Sequence, residues 1–254
     1  MLAILGPAKT IDVSPHGVTD IHTYPVYLDR SRVLVEQLRQ YSLSQLKALM
    51  KVSDKLATQT FERYAAWSSS YSIEDGQQAI MAFSGEVFNG LQARTLSEKD
   101  LLFAQEHVRI LSGLYGVLRP LDLILPYRLE MGTKLPSPKG SNLYEFWNHI
   151  IPDRIAGDTE IQDSPVLINL ASNEYFKSVQ PGSFPHRIIT PVFKESDGTG
   201  YRNVTIYAKK ARGMMLRFLI QHRISEPEYL KAFDQEGYLF HSDLSTPDQW
   251  VFCR

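Results

Sequence analysis

The segment RILSGLYGVLRPLDLILPYRLEMG, Arg109 to Gly132, sets a Gly-x-x-Gly turn among arginines. Gly113 and Gly116 can take positive φ without a Cβ clash, and successive N–H groups in such a turn can converge on an anion. Arg109, Arg119 and Arg128 supply guanidinium forks that match phosphate oxygens. The chemistry on offer is phosphate binding rather than bond breaking. The alternative is a plain chain reversal between two elements, with scattered surface arginines.

A second cationic group follows. No acidic residue lies between Asp197 and Glu226, yet Arg202, Lys209, Lys210, Arg212, Arg217 and Arg223 fall inside that interval. At about 100° per residue, the last five of these share a band of roughly 160° on one helix. Ala211, Met214, Met215, Phe218 and Leu219 take the opposite face. Gly213 falls within the basic band, where a missing side chain would let a phosphate backbone approach closely. A merely solvated face usually interleaves Glu with Lys, and this one does not.

Two smaller polar clusters could belong to a pocket. GPAKT places Lys9 and Thr10 just after the first apolar run, and SDKLA places Asp54 and Lys55 at a helix start. Either lysine could bind phosphate, or act as a nucleophilic amine if desolvated; capping and surface solvation are the plainer roles. NLASNEYFKSV sets Asn173, Glu174 and Lys177 just past an apolar strand, as the edge of a site.

Other chemistry is missing from the sequence. The seven histidines, His16, His22, His107, His149, His186, His222 and His241, never stand at i and i+4, so no local metal motif exists and no metal ligands are assigned. Glu145 and His149 are four apart but are too few for a site, and read as a surface pair. There is no GxxxxGK[ST] loop, GxGxxG fingerprint or GxSxG elbow. No catalytic residue is assigned and no cofactor is required.

The elements that must position these residues alternate in type. Leu2 to Leu5 reads as a buried strand. Helices are expected at Leu28–Gln40, Leu43–Met50, Asp54–Trp67 and Glu98–His107, with Ser44, Ser53 and Ser97 as caps. The short apolar run Ala79–Phe83 is followed by a helix through Leu91. Asn142–Ile151 reads as an aromatic helix ended by Pro152, Val166–Leu170 as a strand and Asn173–Val179 as a short helix. Arg187–Lys194 and Tyr201–Tyr207 flank SDGTG as a hairpin. Helices at Lys209–Arg223 and Glu228–Phe233 precede terminal strands near Tyr238–Phe240 and Trp250–Phe252. The order predicts a mixed α/β protein of one domain, residues 1–254, with a mixed sheet surrounded by helices and no regular barrel or doubly wound repeat.

Composition narrows the class. The 254 residues are 43% hydrophobic and 22% charged, the balance of a globular protein, with net charge -1. Nucleic-acid binding therefore needs local segregation of charge, not an overall excess. The single cysteine, Cys253, excludes an internal disulfide or a thiolate metal cluster and points to a reducing compartment. MLAILGPAKT lacks a basic n-region and a long apolar core, and no window is apolar enough for a membrane span. A cytoplasmic location with no membrane partner is expected.

GPAKT, VSDKLA, AFSGEVFNGL, RILSGLYGVLRPLDLILPYRLEMG, NLYEFW, INLASNEYFKSV, YAKKARGMMLRFLI and EGYLF occur in this order. Together they closely resemble the YaaA family of bacterial peroxide-stress proteins, over essentially the whole chain. The resemblance implies a single α/β domain with an unusual, family-specific fold, a positively charged cleft and a helix-hairpin-helix-like element that binds DNA. It also implies a role in hydrogen peroxide (oxidative) stress, in which free intracellular iron is limited and DNA is spared Fenton chemistry. Carried onto this chain, the hairpin is Ser112 to Gly116, and Arg119 with the Lys209 helix supplies cleft charge. The family pattern leads one to expect Ser at the start of the first motif; this chain has Gly6. The two residues between the hairpin glycines, where the usual DNA-binding version has one, make the match loose.

Two functions are thus expected from different classes. In one, the protein binds duplex or branched DNA with little sequence specificity through Ser112, Gly113, Gly116, Arg119, Lys209, Lys210, Arg212, Arg217 and Arg223. In the other, an enzyme acts on a phosphorylated or nucleoside-like small molecule, with Lys9, Thr10, Lys55, Asn173, Glu174 and Lys177 about its pocket. A convergent cavity favours the second, an open basic groove the first.

Overall fold

The computed structural model describes residues 1–12, 14 and 18–254, so His16 lies outside the described residues. Its centre is a run of five parallel strands. Leu2–Leu5 pairs with Val108–Ser112 on one side and with Val166–Asn169 on the other. Val166–Asn169 pairs in turn with Arg187–Ser196, which pairs with Gln249–Cys253. Antiparallel strands finish both edges: Gly116–Leu118 beside Val108–Ser112, and Leu239–Phe240 beside Gln249–Cys253. Tyr201–Arg202 adds a further short antiparallel pair to Arg187–Ser196.

The sheet is mixed, as the sequence predicts, but its parallel part is ordered. Taken in chain order, the five parallel strands stand 2-1-3-4-5 across the sheet, a doubly wound order. The sequence hides it because the first return to the sheet is so long. Between Leu5 and Val108 the chain passes through Leu28–Arg39, Leu43–Met50, Asp54–Ala66 and Glu98–His107. The first strand is buried at every position, LAIL having no polar face to offer, as expected of an inner parallel strand covered on both sides.

Several local expectations are corrected. Ser42, not Ser44, caps Leu43–Met50: its side chain accepts the Gln45 N–H while Gln45 reaches back to the Ser42 N–H. Ser53 and Ser97 cap their helices as expected. Pro152 does not end the aromatic helix; that helix is Leu143–Trp147, broken at Asn148 with φ 37°. Pro152 instead sits in the first turn of Ile150–Glu160, where a missing N–H costs no helical bond. Only Tyr201–Arg202 of the expected second hairpin strand is extended, and the basic helix starts at Thr205 and runs to Gln221.

Cys253 is buried in the last strand, and burial pushes its thiol up from its usual range. Among the described residues, no helix is long and apolar enough to cross a membrane.

Candidate functional site

Leu2–Leu5 and Val166–Asn169 lie at the point where the order of the parallel strands reverses. From the first strand the chain goes to one side to reach Val108, and to the other to reach Val166. Loops leaving such a pair diverge, and a crevice opens at the carboxyl ends of the strands. Here those loops are Gly6 to Thr10 and Leu170 to Tyr175, and they line a cavity of about 720 Å³. Ser84 to Phe88, Tyr127 to Glu130, and the start of the Thr205–Gln221 helix complete it.

This geometry brings together Lys9, Thr10, Asn173 and Glu174 from one expected set and Lys209 and Arg212 from the other. Lys55 is exposed on Asp54–Ala66 and is not part of the cavity wall. Lys177 also lies off it, with its ammonium 4.8 Å from the centre of the Tyr144 ring. Glu86, Arg128 and Glu130 join the wall. Glu86 and Glu130 fall inside segments shared with the family but carry no chemical pattern of their own, and Arg128 is legible only as one arginine near a turn.

The charges in the cavity are unevenly matched. Glu130 serves both Lys9, at 3.1 Å, and Arg128, at 3.4 Å. Arg128 Nε is nevertheless buried with no hydrogen-bond partner. Glu174 accepts the Gly132 N–H at 2.8 Å. Burial pulls the Arg212 pKa down, and among the described residues neither Arg212 nor Lys209 forms an ion pair. A guanidinium partly withdrawn from water without an anion is costly; a bound anion would remove that cost.

The rest of the basic helix is already engaged. Lys210 pairs with Glu236 and Arg223 with Asp100, acids from distant parts of the chain. Arg217 donates to the carbonyls of Leu91 and Gln92, at 3.0 and 3.1 Å, where Glu86–Leu91 ends. The acid-free interval is thus acid-free only along the sequence. Arg217→Ala should lower stability by about 1–3 kcal/mol, the scale of a charged hydrogen bond. A urea titration with an unshifted midpoint would show that those carbonyls do not need it.

Gly213 is also reassigned. A Cβ there would stand 1.7 Å from the Val87 carbonyl oxygen, and one on Gly90 would stand 2.1 Å from that of Lys210. The two helices touch backbone to backbone. Gly213 admits a neighbouring helix, not a phosphate chain.

Residues 1–244 match the family described as "Peroxide stress protein YaaA". The chain belongs to the YaaA family. It is similar to the UPF0246 protein RSc2009 of Ralstonia nicotianae (strain ATCC BAA-1114 / GMI1000), at 49% identity over 254 residues, covering 100% of this chain and 99% of that one.

In this YaaA-family chain the Ser112 to Gly116 segment is a β-hairpin. It joins Val108–Ser112 to Gly116–Leu118, so no helix-hairpin-helix forms there. Gly116 has the positive φ expected, at 71°, but every residue from Val108 to Leu118 is buried. The Ser112 hydroxyl takes the Leu114 and Tyr115 N–H groups and shares a bond with the Tyr127 hydroxyl. Trp147 Nε1 donates to the Gly113 carbonyl at 2.9 Å, and its ring fills the space beside Gly116. The turn is sealed, so Ser112, Gly113 and Gly116 present nothing to a DNA backbone. Arg119 is spent on Asp122 and the Tyr24 carbonyl, and Arg109 is buried against Asp158.

Glu145 is hydrogen-bonded to Ser141 and Asn142, a local cap. Among the described residues, no three His, Cys, Asp or Glu side chains are grouped so as to hold a metal ion.

Proposed function

We propose that this YaaA-family protein acts in the cytoplasm during peroxide stress by binding DNA with little sequence specificity, through phosphate contacts in the cavity beside the Thr205–Gln221 helix. The observation that carries this reading is the cationic surplus there. Lys209 and Arg212 have no ion-pair partner among the described residues, and Arg128 Nε is buried without a hydrogen-bond partner. Phosphates supply the missing anions, and contacts of this kind position a nucleic acid without reading its sequence.

Lys209→Ala with Arg212→Ala should weaken binding to duplex and branched DNA alike by about tenfold or more, and should flatten the salt dependence by about two phosphate contacts. A salt titration by fluorescence anisotropy measures both. An unchanged slope would remove the cavity from DNA binding.

The limitation of free iron is proposed to be indirect, since the donor groups on the described surface are scattered. Tight stoichiometric iron on the purified protein would overturn that view. The convergence of Lys9, Thr10, Asn173 and Glu174 on one cavity favours a second reading, an enzyme acting on a phosphorylated or nucleoside-like compound, now without Lys55 and Lys177.

A further inference from the structure

We infer that the cavity accepts a single nucleoside-phosphate unit, its phosphate held by Lys209 and Arg212 and its nucleoside by Asn173 and Glu86. The inference rests on the reading of this cavity as a phosphate site and narrows what carries the phosphate. Three observations lead to it.

The first is size and place. About 720 Å³ is the volume of a small-molecule pocket, and the switch point of parallel strands is where such ligands sit in α/β sheets. A cavity of that volume takes one nucleotide unit and not a length of duplex, whose other phosphates stay outside it. An isolated nucleotide fits.

The second is the form of the cationic side. Lys209 and Arg212 stand about one turn apart in the first half of the 17-residue Thr205–Gln221 helix. Val204, at the cap position, makes no side-chain cap bond, so the first-turn N–H groups have no side-chain acceptor from it. Thr205 itself lines the cavity. Helix amides and two cations together form a phosphate seat.

The third is the acidic part of the lining, which is wrong for a phosphate track. Glu86, Glu130 and Glu174 all line the cavity, and a polyanion running through would meet their charge. Glu130 is neutralised by Lys9 and Arg128, and Glu174 is held by the Gly132 amide. Among the described residues, Glu86 has only a long bond from Asn89, at 3.5 Å. With the Asn173 amide, it can accept and donate to the N–H groups of a base or the hydroxyl of a sugar.

Such a unit can come from two sources: a nucleotide extruded from DNA, as base-processing proteins extrude theirs, or a free nucleotide. Calorimetric titration of the full chain with deoxyadenosine monophosphate and with deoxyadenosine tests the shared chemistry. The monophosphate should bind one per chain, at least about tenfold tighter than the nucleoside. Lys209→Ala or Arg212→Ala should erase most of that difference. Asn173→Ala should weaken the monophosphate but leave competition by inorganic phosphate unchanged.

No binding of the monophosphate at millimolar concentration, or binding no tighter than inorganic phosphate, overturns the inference. If DNA still binds in that case, the DNA reading survives alone. A duplex carrying 2-aminopurine at a mismatch then separates the sources. Emission that rises on binding and is reversed by excess deoxyadenosine monophosphate assigns the unit to DNA. Silent 2-aminopurine beside a bound monophosphate assigns it to the free nucleotide.

Discussion

Gly213→Ala should destabilise the protein by about 3 kcal/mol, the upper range of overpacking in a closed core. On helix propensity alone the same change should gain about 1 kcal/mol. Packing decides the sign, because the new methyl would lie 1.7 Å from the Val87 carbonyl oxygen, a backbone atom that cannot move without its helix. To accept it, the Thr205–Gln221 and Glu86–Leu91 helices must separate, and both carry cavity residues. The proposed DNA binding should therefore weaken along with stability. Urea unfolding gives the test: a midpoint lowered with little change in slope is expected, and a raised midpoint would show that the helices do not touch as described. Gly90→Ala, on the other side of the same contact, should behave alike.

Asp158→Leu should cost about 3–5 kcal/mol, the scale of a broken buried ion pair. Asp158 accepts from Arg109 Nε at 2.7 Å and from Arg154 Nε at 2.8 Å. The Arg109 side chain is only 6% exposed, and its remaining bonds go to the carbonyls of Gln105 and Val108. Without Asp158, the guanidinium is left charged and enclosed. Arg109→Met combined with Asp158→Leu should recover most of the loss, because the penalty belongs to the orphaned charge and not to the missing pair. A double variant no more stable than the single one would show that the pair itself supplies the stability. Arg187 with Asp248, exposed by 44% and 66%, should by contrast matter by about 1 kcal/mol or less.

Elements with strong periodicity and good caps were readable from the sequence. Leu43–Met50 and Glu98–His107 match their expected limits, since apolar spacing and polar boundary residues act over one or two turns. Tyr201 to Tyr207 shows where such reasoning stops: its β-rich composition yields to the helix that begins at Thr205, once that helix has Glu86–Leu91 to pack on. The cavity was legible in halves. Lys9 and Asn173 could be placed after strands, but their meeting depends on Leu2–Leu5 and Val166–Asn169 being neighbours, a pairing across most of the chain. The acid-free helix misled for the same reason. Glu236 and Asp100 neutralise it from afar, and no local window contains them.

The sulfur atoms carry a separate consequence. The one thiol, Cys253, is enclosed in the sheet and held protonated, and Met1, Met81, Met131, Met214 and Met215 are buried as well, leaving Met50 the most accessible. Peroxide attacks thiolates and open thioethers, so a rise in oxidant finds little here to modify. An exposed, low-pKa thiol is what a thiol-based peroxide gauge needs, and Cys253 is neither exposed nor low in pKa.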